Sequence, residues 1–211
     1  MRCLFLLVIL LTAAPGLIAQ ETKPEGKPAS IAVVVDCSGS LRLQLDKTVT
    51  LIKQIAESMQ PGDEAFIVRF VGADKITVTQ DFTQSKAEIA DAADDLYIEG
   101  GQTAITDAVE FAAKHFSDSP SKDLEKTIIL ISDGDEHRGG TRTDEVLGLL
   151  KNQKIRVFAI GISDLTVSAK FLDKFTKETG GKTFVPRSPA ELSNSVISIM
   201  TMLRGGSTGK E

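Results

Sequence analysis

Cysteine is scarce in this 211-residue chain: Cys3 and Cys37 are the only two. Cys3 falls in an N-terminal segment that reads as removable. Cys37 then stands alone, an internal disulfide is excluded, and a packed core has to hold the fold. A nucleophilic thiol needs a basic neighbour. None lies near Cys37 in sequence, so it reads as a small buried filler. Basic runs are missing too. Lys and Arg number 24 against 29 Asp and Glu, and losing Arg2 leaves 23 against 29. That mildly acidic balance offers nothing to draw nucleic acid or anionic lipid. Beyond Gln20 every apolar run is strand-length, whereas a membrane-spanning helix needs about 20 apolar residues. Repeats at solenoid spacing are absent. No Gly-x-Gly-x-x-Gly follows the first strand, which argues against a dinucleotide, and no Gly-x-Ser-x-Gly elbow marks a serine hydrolase. Gly181-Lys182-Thr183 has the ending of a P-loop, but Thr176 stands where its first glycine belongs, so no nucleotide is expected there.

The N-terminus carries what the rest lacks. Arg2 supplies one positive charge, Leu4 to Ala14 is apolar except for Thr12, Pro15-Gly16 break the run, and Leu17-Ile18-Ala19 precede Gln20. This is the layout of a secretory signal cleaved after Ala19. The chain divides into a signal peptide (1–19), a flexible Pro- and Gly-containing linker (20–29), one domain (30–204) and a disordered tail (205–211). The mature protein is expected to be exported, periplasmic or secreted, with no membrane span.

Ile31–Val35 is five apolar residues in a row and ends on Asp36-Cys37-Ser38-Gly39-Ser40. An unbroken run rich in Val and Ile suits a strand buried on both faces of a parallel sheet. Leu41, Leu45, Val49, Ile52, Ile55, Ala56 and Met59 make one apolar face of a helix over Leu41–Met59, which Pro61-Gly62-Asp63 ends. Glu64–Val71 reads as the second strand, reached by a right-handed parallel crossover. Only Gly72-Ala73-Asp74 separate it from Lys75–Thr79, too few for a crossover, so the third strand is an antiparallel, half-exposed edge. A short helix over Ser85–Leu96 follows. Gly100-Gly101-Gln102-Thr103 reads as a loop running into an N-cap at Thr103, and the next helix carries Ile105, Val109 and Phe116. Thr127–Ser132 is a second near-continuous apolar strand, ending on Asp133-Gly134. Helix (Thr143–Lys151), strand (Ile155–Ile160), helix (Ser168–Thr179), strand (Thr183–Val185) and helix (Pro189–Leu203) complete the chain.

That order predicts an α/β fold: a doubly wound, Rossmann-like, mostly parallel six-stranded sheet with helices on both faces. By analogy the strand order is 3-2-1-4-5-6, with the third strand an antiparallel edge. The first and fourth strands are then central neighbours, and the ligand crevice lies at their carboxyl ends. Three loops meet there: Asp36-x-Ser38-x-Ser40, Gly100-Gly101-Gln102-Thr103 and Asp133-Gly134. Taken alone, Asp36, Ser38 and Ser40 fit either a capped turn or an all-oxygen site for a hard cation.

Together the loops resemble the metal-ion-dependent adhesion site of the von Willebrand factor type A family, Asp-x-Ser-x-Ser with a distant Thr and a distant Asp. Here these are Asp36, Ser38, Ser40, Thr103 and Asp133. The resemblance spans roughly Ser30 to Leu203. Gly161, the Thr179-Gly180-Gly181 turn and the strand at Phe184 are similar to bacterial members. Leu41 stands where the family often has Met, a volume-conserving change. The resemblance implies that the site holds Mg²⁺ or Mn²⁺, ahead of Ca²⁺, with Ser38, Ser40 and either Thr103 or Asp133 bound directly and Asp36 partly through water. A free coordination position would take an acidic side chain of a protein ligand. Asp107 is a candidate for orienting hydroxyls or waters around the metal, or a plain helix-start acid. Asp135, Glu136, His137 and Arg138 are candidates for partner contact, or a solvated loop; His115 reads as structural or exposed.

The leading function is therefore a non-enzymatic, metal-dependent adhesion or interaction module. The alternative is a metal-assisted, phosphatase-like hydrolase using the same crevice. Ser38 counts against it, because such enzymes usually place a second acid there, and no lysine or histidine constellation accompanies it.

Overall fold

The computed structural model describes residues 26–137 and 141–205. The signal peptide, linker residues 20–25, Arg138 and the tail beyond Gly205 lie outside them.

Apolar runs that do not alternate have to be covered on both sides, and the molecule is layered accordingly. Strands β1 (Ala29–Asp36), β2 (Glu64–Phe70), β3 (Ile76–Thr83), β4 (Glu125–Ser132), β5 (Arg156–Gly161) and β6 (Thr183–Phe184) form one sheet in the order β3-β2-β1-β4-β5-β6. β2 and β3 pair antiparallel, and every other neighbouring pair is parallel. Every residue of β1 and β2 is buried. Helices α1 (Leu45–Ser58), α2 (Lys86–Asp94) and α6 (Pro189–Leu203) cover one face, packing on Val33, Val35, Ile67 and Ile129. Helices α3 (Ile105–His115), α4 (Thr143–Asn152) and α5 (Ala169–Glu178) cover the other, over Val34, Phe66, Val68 and Leu130. Consecutive β1 residues thus feed two separate cores, each side chain contributing about 1.5–3 kcal/mol by leaving water. The predicted class, strand order and antiparallel edge all appear in this architecture.

The differences from the sequence reading are local. Leu41–Gln44 is not α-helical: Gly39–Gln44 winds as a 3-10 segment and α1 begins at Leu45. The tighter winding starts at the candidate loop itself, where the Leu41 N–H donates to the Ser38 carbonyl at 3.1 Å. β1 begins at Ala29, inside the span assigned to the linker. β3 runs on to Thr83, because register shifts opposite Ile67 let it bend and continue past its alternating stretch. Thr103 is not the N-cap of α3; Ala104 holds that position, with no side-chain cap of its own.

The amino-terminal edge of the sheet is tied by a buried ion pair. Asp63 accepts from the Ala29 N–H (2.8 Å) and the Gln60 N–H (2.7 Å), and it pairs with the Arg204 guanidinium just past α6. Arg204 also donates to the Lys27 carbonyl at 3.1 Å. One carboxylate thereby fastens the entry of β1, the entry of β2 and the exit of α6.

Candidate metal centre

The candidate residues sit at the opposite, carboxyl-terminal edge. β1 and β4 run in register with Val35 beside Ile131, which puts Asp36 next to Ser132. The Asp36 carboxylate accepts the Ser132 hydroxyl at 2.7 Å and the Ser38 N–H at 2.9 Å. Ser132 in turn accepts the Gly134 N–H at 3.0 Å. Burial pushes the Asp36 carboxyl up from its ordinary 3.8 to about 6; the hydrogen bonds from Ser132 and Ser38 pull against that rise, and the charge of Asp133 adds to it.

The first loop presents the Ser38 and Ser40 hydroxyls 3.1 Å apart, Ser38 buried and Ser40 exposed. Its backbone is held on both sides: the Cys37 N–H donates to the Phe70 carbonyl at 2.8 Å, and the Cys37 carbonyl accepts the Glu99 N–H at 2.9 Å. The Cys37 side chain is fully buried, and burial pushes its thiol up to about 12, which removes it as a nucleophile.

The second loop hangs from β2. Arg69, 5% exposed, donates to Glu99 at 3.0 Å and lies 4.0 Å from the centre of the Tyr97 ring, pinning the approach to Thr103. Thr103 is buried. Its carbonyl accepts the His137 N–H at 2.9 Å, and the next N–H, of Ala104, reaches the Val71 carbonyl at 3.1 Å. Its hydroxyl does not cap α3, whose first N–H groups are taken by Glu136.

The third loop turns at Gly134, whose φ of +78° favours glycine and whose missing Cβ would stand 2.8 Å from the Ser168 carbonyl oxygen. Asp133 is buried, accepts the Asp135 N–H at 3.0 Å, and takes the Ser168 N–H on its carbonyl at 2.7 Å.

β1 and β4 thus hold Asp36 and Asp133 at adjacent strand ends, and the His137 bond ties Thr103 to the segment just after Asp133. The donors are two carboxylates and three hydroxyls. Among the described residues no three His, Cys, Asp or Glu side chains gather closely enough to hold a metal without help from other groups. Neither Asp36 nor Asp133 has a basic side chain within ion-pair reach there; the nearest such contact in the loop is His137 with Asp135, at 3.9 Å. Two buried carboxylates beside three hydroxyls fit a hard divalent cation.

One oxygen of Asp107 accepts the Thr141 N–H (3.1 Å) and hydroxyl (2.8 Å), and the other, Oδ2, is buried without a partner among the described residues. Glu136 accepts the Ile105 N–H at 2.6 Å and the Thr106 N–H at 3.5 Å, capping α3 from another loop; burial raises its carboxyl above the ordinary value, against the pull of those bonds. Asp135 and His137 are exposed. His115 bonds to Asp81 at 2.9 Å and stacks on Phe82, a structural place. Sequence reasoning assigned no role to Ser132. The signal for it was a hydroxyl ending an apolar strand directly before Asp133.

The model of the von Willebrand factor type A domain matches residues 30–196. No curated protein matches. Among solved structures, an aerotolerance-related membrane protein from Bacteroides fragilis NCTC 9343 is similar at 18% identity and a TM-score of 0.69, over 82% of this chain and 99% of that one. A von Willebrand factor type A protein from Catenulispora acidiphila matches at 22% identity and 0.70, over 85% of this chain and 43% of that one. The manganese-loaded TRAP protein of Plasmodium vivax matches at 21% identity and 0.58, over 77% and 65%. At these identities the likeness is one of fold.

Proposed function

We propose, from the premise that this chain belongs to the von Willebrand factor type A domain family, that it is a non-enzymatic, exported binding module whose cation site engages a protein partner. Domains of this family commonly mediate protein interaction. Asp36, Ser38, Ser40, Thr103 and Asp133 are the residues assigned to hold the cation. The observation that carries the reading is the pair of buried carboxylates, Asp36 and Asp133, at neighbouring strand ends with no basic side chain beside them among the described residues. Ser132 fixes one oxygen of Asp36 and the Ser38 N–H the other, so the carboxylate is oriented before any ligand arrives. Mg²⁺ or Mn²⁺ held by two carboxylates keeps electrophilic character and a coordination position for an acidic side chain of the partner. The manganese in the TRAP structure supports Mn²⁺ as the probe. The leader sequence supports export, to periplasm or medium.

Calorimetric titration with Mn²⁺ and Mg²⁺ tests the site. The protein is expected to bind and Asp36→Ala to lose binding; undiminished binding in the variant sinks the assignment. Capture of a partner from the native envelope or medium, abolished by EDTA and restored by Mg²⁺, tests the module reading. Turnover of generic phosphate or acyl esters that vanishes in Asp36→Asn would replace it with the hydrolase.

A further inference from the structure

A helix start leaves N–H groups without partners, and a Ser or Thr just before the helix usually satisfies them with its own hydroxyl. Thr103 stands in that place. As the N-cap of a helix beginning at Ala104, it would take the N–H of Ile105 or Thr106, the second and third donors of the first turn. Both N–H groups are already occupied by the Glu136 carboxylate, at 2.6 and 3.5 Å, from a loop about 30 residues further along the chain. α3 accordingly begins one residue later, with Ala104 as an N-cap that has no side-chain bond. The Thr103 backbone is fixed meanwhile by the His137 N–H on its carbonyl and by the neighbouring Ala104–Val71 bond. Its hydroxyl makes neither of the cap bonds, which Glu136 supplies instead.

We infer that Glu136 is a positioning residue for the cation site: it caps α3 in place of Thr103 and so keeps the Thr103 hydroxyl available to the cation. The inference rests on the proposed cation site for its consequence, but the exchange of one cap for another stands on α3 alone. Glu136 acts on the site twice. Its side chain holds the start of α3 to the loop after Asp133, and its occupation of the Ile105 and Thr106 N–H groups removes the local partner that would draw Thr103 away. Without it, the Ile105 and Thr106 N–H groups are orphaned, Ala104 can join the helix, and the helix N-terminus competes with the cation for the Thr103 hydroxyl.

Five proteins decide the matter: the wild type, Glu136→Ala, Glu136→Gln, Thr103→Ala and the double variant Glu136→Ala/Thr103→Ala. A urea titration of each confirms that it is folded. The first readout is amide hydrogen exchange at Ile105 and Thr106 without metal. Thr103→Ala is expected to leave it unchanged. Glu136→Ala is expected to raise it only partly, because Thr103 takes over the cap, and the double variant to raise it much further. The second readout is Mn²⁺ affinity by calorimetry. Glu136→Ala is expected to lose about tenfold, in the range that supporting groups around a metal site usually contribute, the double variant to be no weaker than Thr103→Ala, and Glu136→Gln, which keeps one acceptor oxygen, to recover most of the loss. Wild-type Mn²⁺ affinity in Glu136→Ala overturns the inference, as does faster exchange in Thr103→Ala alone, which would mean that Thr103 already caps the helix. A wild type that binds no Mn²⁺ removes the cation site; unequal exchange in Glu136→Ala and the double variant would then still establish the cap exchange, and equal exchange would overturn that as well.

Discussion

Asp36 and Asp63 lie at opposite edges of the same sheet, and each is 1% exposed. Asp63 is answered from within the chain: two backbone N–H groups and the Arg204 guanidinium meet its carboxylate. Asp36 receives a hydroxyl and an N–H, and the charge that bears on it is that of another acid, Asp133. Burial costs a carboxylate its hydration at either edge. The amino-terminal edge offsets that cost with a cation of its own, and the carboxyl-terminal edge does not. One buried acid is part of the scaffold, and the other is left with a charge deficit that a bound ion can fill.

Removing a partner at the closed edge is the harshest way to break this contrast. Asp63→Ala or Arg204→Ala strands a buried charge and is expected to cost about 3–5 kcal/mol in urea unfolding, with Mn²⁺ affinity of the folded fraction unchanged. A loss of affinity there would mean the two edges are coupled. The pH dependence of metal-free stability sharpens the contrast from the other side. The Asp36 carboxyl titrates near 6 in the fold and near 3.8 when ordinary, so between those values the folded state binds more protons than the unfolded one. Its contribution to stability is therefore present at low pH and lost as pH rises through that window, amounting to roughly 3 kcal/mol. Asp36→Asn is expected to flatten this segment of the profile, and a slope identical to wild type would contradict the assignment. The smallest effect concerns the turn that carries Asp133. Gly134→Ala forces a left-handed φ on an alanine and its Cβ toward the Ser168 carbonyl, for a loss of about 1–2 kcal/mol with weakened Mn²⁺ binding. An unchanged calorimetric Kd would show that the loop tolerates the shift.

Much of this was legible in the chain itself, for a physical reason. Ile31–Val35 and Ile128–Ile131 are apolar throughout, so both had to be central, and the polar residues directly after them had to emerge at one edge. The bounds of α6 were legible because Pro189 fixes its start and one apolar face runs to Leu203. The illegible parts are long-range or geometric. Glu136 capping a helix about 30 residues earlier leaves no local spacing to read, and Arg204 meets Asp63 across 141 positions. The 3-10 winding of Gly39–Gln44 has the same apolar spacing as the α-helix it leads into. A register shift in β3 extends the strand beyond the alternation that marks it.

Cys37 gives the chain an internal clock. The thiol is sealed between Asp36 and Ser38 in the first loop, and burial keeps it protonated and unreactive. A thiol reagent can modify it only while that loop is open, so the rate of modification measures how often the loop opens. Any ligand that closes the three loops slows that rate, and its occupancy can be read from a residue that never touches it.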